Sequence, residues 1–256
     1  MRAFLAFFKK ELLSGTRSGK LLTLAVIFLL LGVMNPAIAK MTPWLLEMLS
    51  EQLSESGVTV HDVTVNALTS WTQFFKNLPI ALIAFVLLLG GCFTQEYESE
   101  TLVLLLTKGL SRYKVVLAKA SYLLLAWTVG YWLSFGITYA YNAYFWDNSV
   151  ALGLWHAVLN YWVFGCLAVS ATVFFSTLAR SYGTVLLLCG TSLLLLYLLR
   201  LLPRLSRVSP FALTDTAALL VGAESPSEFV PALCITAALC LALLGMSIPF
   251  INKKRF

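Results

Sequence analysis

Residues 91–119, GCFTQEYESETLVLLLTKGLSRYKVVLAK, carry the densest mixture of charge in the chain. Glu96, Glu98 and Glu100 precede an apolar run at 101–107, and Lys108, Arg112, Lys114 and Lys119 follow it. Acids ahead of a short helix and bases behind it complement the helix dipole, so the run predicts a helix with charged flanks. The chemistry it offers is docking and orientation, because it holds no nucleophile paired with a base. A helical, charged elbow is a handle for another protein to push. It is equally a well-capped connector, and the residues alone leave both open.

Side chains that make and break bonds are scattered elsewhere. His61 and His156 are far apart in sequence, and Cys92, Cys166, Cys189, Cys234 and Cys240 all sit inside apolar runs without a CxxC pair. The patterns HExxH, GxSxG and GxxxxGK[ST] do not occur in the sequence. The expectation is therefore no catalytic residue, no metal set and no ATP site in this chain, which also disfavours an integral-membrane enzyme.

The elements that must position the charged run follow from composition. Of the 256 residues 59% are hydrophobic and only 12% charged, about half the charge of a soluble domain. Residues 21–39, 77–95, 115–140, 154–178, 184–202 and 230–251 are each long enough to cross roughly 30 Å of hydrocarbon as helices. The expected fold is an all-α integral membrane protein, residues 1–256 forming one polytopic domain. Residues 1–20 precede the first span as a basic interfacial helix, with Phe4, Leu5, Phe8, Leu12 and Leu13 on one face and Lys9 and Lys10 off it. Leu21 to Met34 followed by Ala37-Ile38-Ala39 mimics a cleavable signal, but the long patterned segment before it argues for retention.

Orientation follows from the basic residues. With the N-terminus cytoplasmic, all but five of the 18 Lys and Arg (Lys40, Lys76, Arg200, Arg204 and Arg207) face the cytoplasm. Eight of the 12 carboxylates fall on the other side: Glu47, Glu51, Glu55, Asp62, Asp147, Asp215, Glu224 and Glu228. Both termini are then cytoplasmic, and the net charge of +6 describes an inner membrane face rather than a nucleic-acid partner. Asp, Glu, Lys and Arg are missing from the middle of the six runs, which speaks against a self-contained ion-coupled carrier.

Two further patterns stand out. In TPWLLEMLSEQLSESG, residues 42–57, Thr42 can cap, Pro43 suits the first helical position and Gly57 can stop, predicting an exoplasmic amphipathic helix between spans 1 and 2. Its Glu47, Glu51 and Glu55 recur every four residues as an acidic stripe, which is either a solvated face or an attraction for a cationic cargo or partner. Aromatic residues crowd the third span and its exit. Trp127 and Tyr131, with Thr138 and Asn160 among the milder polar groups, either pack the core or line a cargo path.

The run ESETLVLLLTKGLSRYKVVLAK also resembles the cytoplasmic elbow of bacterial ABC transporter permeases of the type 2 export class, in Glu98, Thr101, Leu102, the leucines 104–106, Ser111, Arg112 and Lys119. FFKKEL near the N-terminus, FFSTLARS at 174–181 and VSPFALTDTAALLVG at 208–222 are weaker echoes in the same order. Glu100 stands where a glycine is common and Gly109 where a proline is common, so both departures fall at the bend. The resemblance implies a six-helix permease subunit of the bacterial cytoplasmic (inner) membrane, with a cytoplasmic coupling-type helix between spans 2 and 3. It implies a separate ABC-type ATP-binding subunit that carries ATP and Mg, and a second permease copy or paralogue. Contact or hinge roles then fall to Glu98, Glu100, Thr101, Leu105, Lys108, Ser111 and Arg112. The absence of charge from the middle of the spans and the acidic stripe favour a lipophilic or cationic peptide as cargo; the alternative to an exporter is a non-transporting membrane scaffold or immunity protein of the same architecture.

Overall fold

A computed structural model describes residues 2–55, 65–98 and 111–253 of the chain. The expected coupling-type helix at 101–107 lies outside the described residues. The helices are α1 (Arg2–Arg17), α2 (Lys20–Glu55), α3 (Ala67–Leu89), the short α4 (Thr94–Glu98), α5 (Arg112–Phe145), α6 (Leu154–Leu178), α7 (Tyr182–Arg200), the single turn α8 (Ala217–Leu220) and α9 (Val230–Lys253). Among the described residues six stretches are long and apolar enough to cross a membrane: Lys20–Leu45, Ala67–Tyr97, Arg112–Phe145, Leu154–Leu178, Tyr182–Arg200 and Pro226–Asn252.

Charged residues measure the apolar slab. Lys20 and Lys40 on α2, and Lys76 and Glu96 on the α3–α4 segment, are each twenty positions apart, roughly 30 Å at helical rise and close to the thickness of bilayer hydrocarbon. The lower level is tied across helices, Lys20 Nζ donating to Gln95 Oε1 at 2.8 Å. At the opposite level Lys40 Nζ lies 3.6 Å from the centre of the Phe145 ring. Between the two levels the core is aromatic. Phe28, Trp71, Phe74, Phe85, Trp127 and Tyr131 are almost completely buried, and Trp127 meets Phe28 and Phe85 edge-on with centroids 5.9 Å apart in each case. α5 can approach α6 this closely because Gly165 lies under the Trp127 ring, where a methyl group would collide with it.

After α7 the chain folds back without crossing. Pro210–Thr214 forms a 3-10 turn, α8 follows, and Pro226–Phe229 forms another 3-10 turn before α9. Ser209 starts this cap, its hydroxyl accepting from Phe211 N at 3.3 Å and donating to Leu196 O at 3.2 Å. The Leu152 amide donates to Leu220 O at 3.1 Å, joining the fold-back to the head of α6.

One expectation about local structure is corrected. Thr42 and Pro43 do not open a separate exoplasmic helix; α2 runs unbroken through Pro36 and Pro43 to Glu55. The Thr42 hydroxyl donates backward to Ile38 O at 2.9 Å and so serves the helix it was expected to cap. Pro36 has no N–H for Gly32 O, and that carbonyl is taken by the buried Thr138 hydroxyl of α5 at 2.9 Å. In α1 the buried face is centred on Phe7, Glu11 and Gly15, while Leu5 and Leu13 are exposed. The helix packs this buried face on α5. Gly19, at φ +74°, supplies the left-handed residue that ends α1 and turns the chain into α2.

If Thr138 is what keeps Gly32 O satisfied, Thr138→Val, which preserves shape, should lower stability by about 1 kcal/mol. Unfolding in detergent micelles measures this, and a neutral result would show that the proline break is satisfied otherwise.

Candidate functional site

Four charged side chains from three separate helices meet at the end of the bundle where α1, α4 and the start of α5 converge. Lys119 on α5 is 2% exposed, and Glu11 on α1 and Glu96 on α4 are each 8% exposed. Lys119 Nζ donates to Glu11 Oε2 at 2.9 Å and stands 3.2 Å from Glu96 Oε2. Lys10 Nζ closes the ring from the surface, donating to Glu96 Oε1 at 2.6 Å and to Glu11 Oε1 at 3.1 Å. Cations and anions alternate and the sum is zero, the condition for burying charge at the margin of a bilayer. The Lys119 ammonium also lies 5.7 Å from the Phe7 ring centre and 5.4 Å from that of Phe93, within cation–π reach.

Burial pushes the Glu11 carboxyl up, but the neighbouring Lys119 and Lys10 pull it further down, and it ends below its ordinary range. A depressed carboxylate contributes stability that is complete above its unfolded value of about 4.3 and disappears as pH falls through the lower folded value. The Glu11 carboxylate therefore stays charged throughout the neutral range, and its contribution is lost only in acid.

The chain between Glu98 and Ser111 is held at both ends. On one side Glu96 is fixed to α1 and α5 through the ring. On the other, the Arg112 guanidinium donates through Nη1 to Ile251 O at 2.8 Å and Asn252 O at 2.9 Å. It thereby satisfies carbonyls at the end of α9, where a cation also complements the helix dipole. Ser111 occupies the N-cap position of α5 but makes no side-chain capping bond, and its buried hydroxyl has no hydrogen-bond partner among the described residues. Glu98 ends α4. Its side chain, and all of Glu100, Thr101, Leu105 and Lys108, lie outside the described residues.

The other expected positions are dispersed. Trp127 Nε1 donates to Trp162 O at 3.2 Å and the Tyr131 hydroxyl to Val158 O at 2.7 Å, so both rings are clamped onto α6. Thr138 serves Gly32 as described above. Asn160 is 3% exposed, and its Nδ2 has no partner among the described residues. Glu47 is exposed on the far extension of α2, and for Glu51 and Glu55 only the helical backbone is described. No group of three His, Cys, Asp or Glu able to hold a metal is present among the described residues.

The sequence reading placed Lys10 off the apolar face of the N-terminal helix and Glu96 and Lys119 on the flanks of the charged run, and gave Glu11 no role. A usable signal was present: Phe7, Glu11 and Gly15 recur at helical spacing, which places a carboxylate on an apolar face. Lys119→Met should leave two buried carboxylates sharing Lys10 and cost about 3 kcal/mol or more, read as lowered thermal stability in detergent. Combining it with Glu11→Gln should cost at least about 1 kcal/mol less than the sum of the single changes. Strict additivity would mean that the two residues do not act together.

Residues 5–248 match the family described as "ABC-2 family transporter protein", while comparison with curated proteins finds no match. The family match covers nearly the whole chain, and it agrees with six apolar crossings and a charged cluster at the margin of the bilayer rather than a catalytic centre within it. The chain belongs to the ABC-2 transporter family and is a multi-pass, non-catalytic permease subunit of an ABC transporter.

Proposed function

We propose that this chain is the membrane subunit of an ATP-driven exporter, and that energy enters it mechanically through the elbow at residues 99–110. A separate ABC-type ATP-binding subunit docks there, on the end of the bundle that carries Lys119, Glu11 and Glu96. That end is cytoplasmic, as are both termini, in a bacterial inner membrane. Glu98, Glu100, Thr101, Leu105 and Lys108 supply contacts to the ATPase, and Ser111 and Arg112 form the hinge that returns the chain to α5.

The observation that carries this is the double anchoring of the elbow. One root, Glu96, is tied by charge to α1 and α5; the other, Arg112, is bound to the last carbonyls of α9. A push on the elbow therefore reaches the third and last long apolar helices and the N-terminal helix together. The sparsely enclosed α7 and α9, with exposed Leu187, Leu194, Leu241 and Met246, leave apolar surface for lipid and for a second permease copy or paralogue. The cargo class favoured by the acidic run Glu47, Glu51 and Glu55 is a lipophilic or cationic peptide.

Replacing Glu98 and Arg112 together, as Glu98→Gln and Arg112→Gln, should lower permease-stimulated ATP turnover by about tenfold, a loss of about 1.4 kcal/mol in coupling. Insertion and copurification of the membrane subunit with a second copy should persist. Turnover equal to that of the unaltered complex would remove the elbow from the energy path.

A further inference from the structure

A cavity of about 430 Å³ opens between α3, α6, α7 and the fold-back that follows α7. Its position is set by Lys76, which lies twenty residues from Glu96 and therefore at the opposite surface of the slab from the ion ring. From Lys76 the wall continues down α3 through Pro79, Leu82 and Ile83, about two helical turns into the hydrocarbon level. Phe164 and Leu193 complete it from α6 and α7. Pro79 and Ile83 are exposed, so the slot is open sideways along α3. Its size is within the ordinary range of small-molecule sites, roughly 300–1,000 Å³.

The mouth is polar where the body is not. Lys76, Thr72, Thr214 and Asp215 line that end. Asp215 is already paired with the Arg200 guanidinium. Lys76 is exposed and has no carboxylate within ion-pair distance among the described residues. With Asp215 neutralised by Arg200 beside the cavity, Lys76 leaves an excess of one positive charge at headgroup depth. Below it is an aliphatic and aromatic slot that water would not fill favourably and that bilayer chains can enter from the side.

We propose that this cleft is a binding site for an anionic phospholipid of the leaflet opposite the ion ring. The phosphate sits on the Lys76 ammonium and one acyl chain lies in the slot beside Ile83, Phe164 and Leu193. Charge selects the headgroup, since a lysine at a membrane surface favours an anionic lipid by about fivefold, and apolar contact holds the tail. The site is separate from the elbow and does not depend on how the permease is energised. The bound lipid wedges α3 against the fold-back and so belongs to the resting structure rather than to the cargo.

The test uses the full chain in phosphatidylcholine nanodiscs that contain a minor fraction of phosphatidylglycerol bearing a photoreactive group at its acyl terminus, with labelled peptides mapped by mass spectrometry. Label should concentrate on residues 75–83, 161–164 and 211–220, and Lys76→Gln should reduce it about fivefold. Ile83→Trp, a change at an exposed position that obstructs the slot but keeps Lys76, should reduce it as well. Lys40→Gln, which removes a cation at the same depth on another helix, should leave it unchanged. Three outcomes would each overturn the proposal: equal labelling by the phosphatidylcholine analogue, equal sensitivity to Lys40→Gln, or label spread evenly over the lipid-facing helices.

Discussion

Hydrocarbon offers no partner to a polar atom, and the architecture of this chain is arranged around that scarcity. Every proline inside a crossing leaves a carbonyl without its usual donor, and every charge near the slab must bring its own counter-ion. At Pro36 the freed carbonyl of Gly32 is answered from another helix by Thr138. Across the same pair of crossings used by Lys40 and Lys76, Asn77 Nδ2 donates to Asn35 Oδ1 at 2.7 Å. Trp127 and Tyr131 give their polar tips to α6 carbonyls and their rings to the core. Side chains that look decorative in an apolar sequence are the ones that fix helix against helix, because van der Waals contact with a neighbour differs little from contact with lipid.

The same scarcity concentrates charge at one end. Lys119 could not be buried alone, nor could Glu11 or Glu96, and the ring they form with Lys10 is tolerable only when all four are present. An assembly that is stable only when complete is also one that moves as a unit. Glu96 and Arg112 stand at the two roots of the elbow, and each is bonded to a different part of the bundle. Under the function proposed above, a force applied between these roots would arrive at α1, α5 and α9 at once.

At the other surface the balance is reversed, with one cation in excess beside an apolar slot. Neutrality at the ion ring comes from the protein's own carboxylates. At Lys76 it is left to the surroundings, which in a bilayer means the headgroup of a lipid. The two ends of the α3–α4 segment thus treat charge differently: the Glu96 end uses it to bind helices together and the Lys76 end to bind the solvent of the membrane.

Much of the fold was legible without coordinates. The length and continuity of apolar runs are properties of neighbouring residues, so six crossings, and the marginal position of nearly all charge, can be read directly from composition and spacing. The family resemblance carried by ESETLVLLLTKGLSRYKVVLAK and its echoes was legible for the same reason, each motif being a short contiguous string. Local rules misled at Thr42-Pro43: a start signal for an isolated helix lost to continuation of α2, where Thr42 bonds back to Ile38. In α1, hydrophobicity alone gave Glu11 no role. What only the tertiary structure decided is which distant residues meet. Glu11, Glu96 and Lys119 are brought together by the antiparallel return of α3 beside α5 and the docking of α1, and Arg112 reaches α9 across 139 positions of the chain. Hydropathy is a one-dimensional quantity and the sequence settles it; the pairing of charges depends on through-space distance, which exists only once the helices have packed.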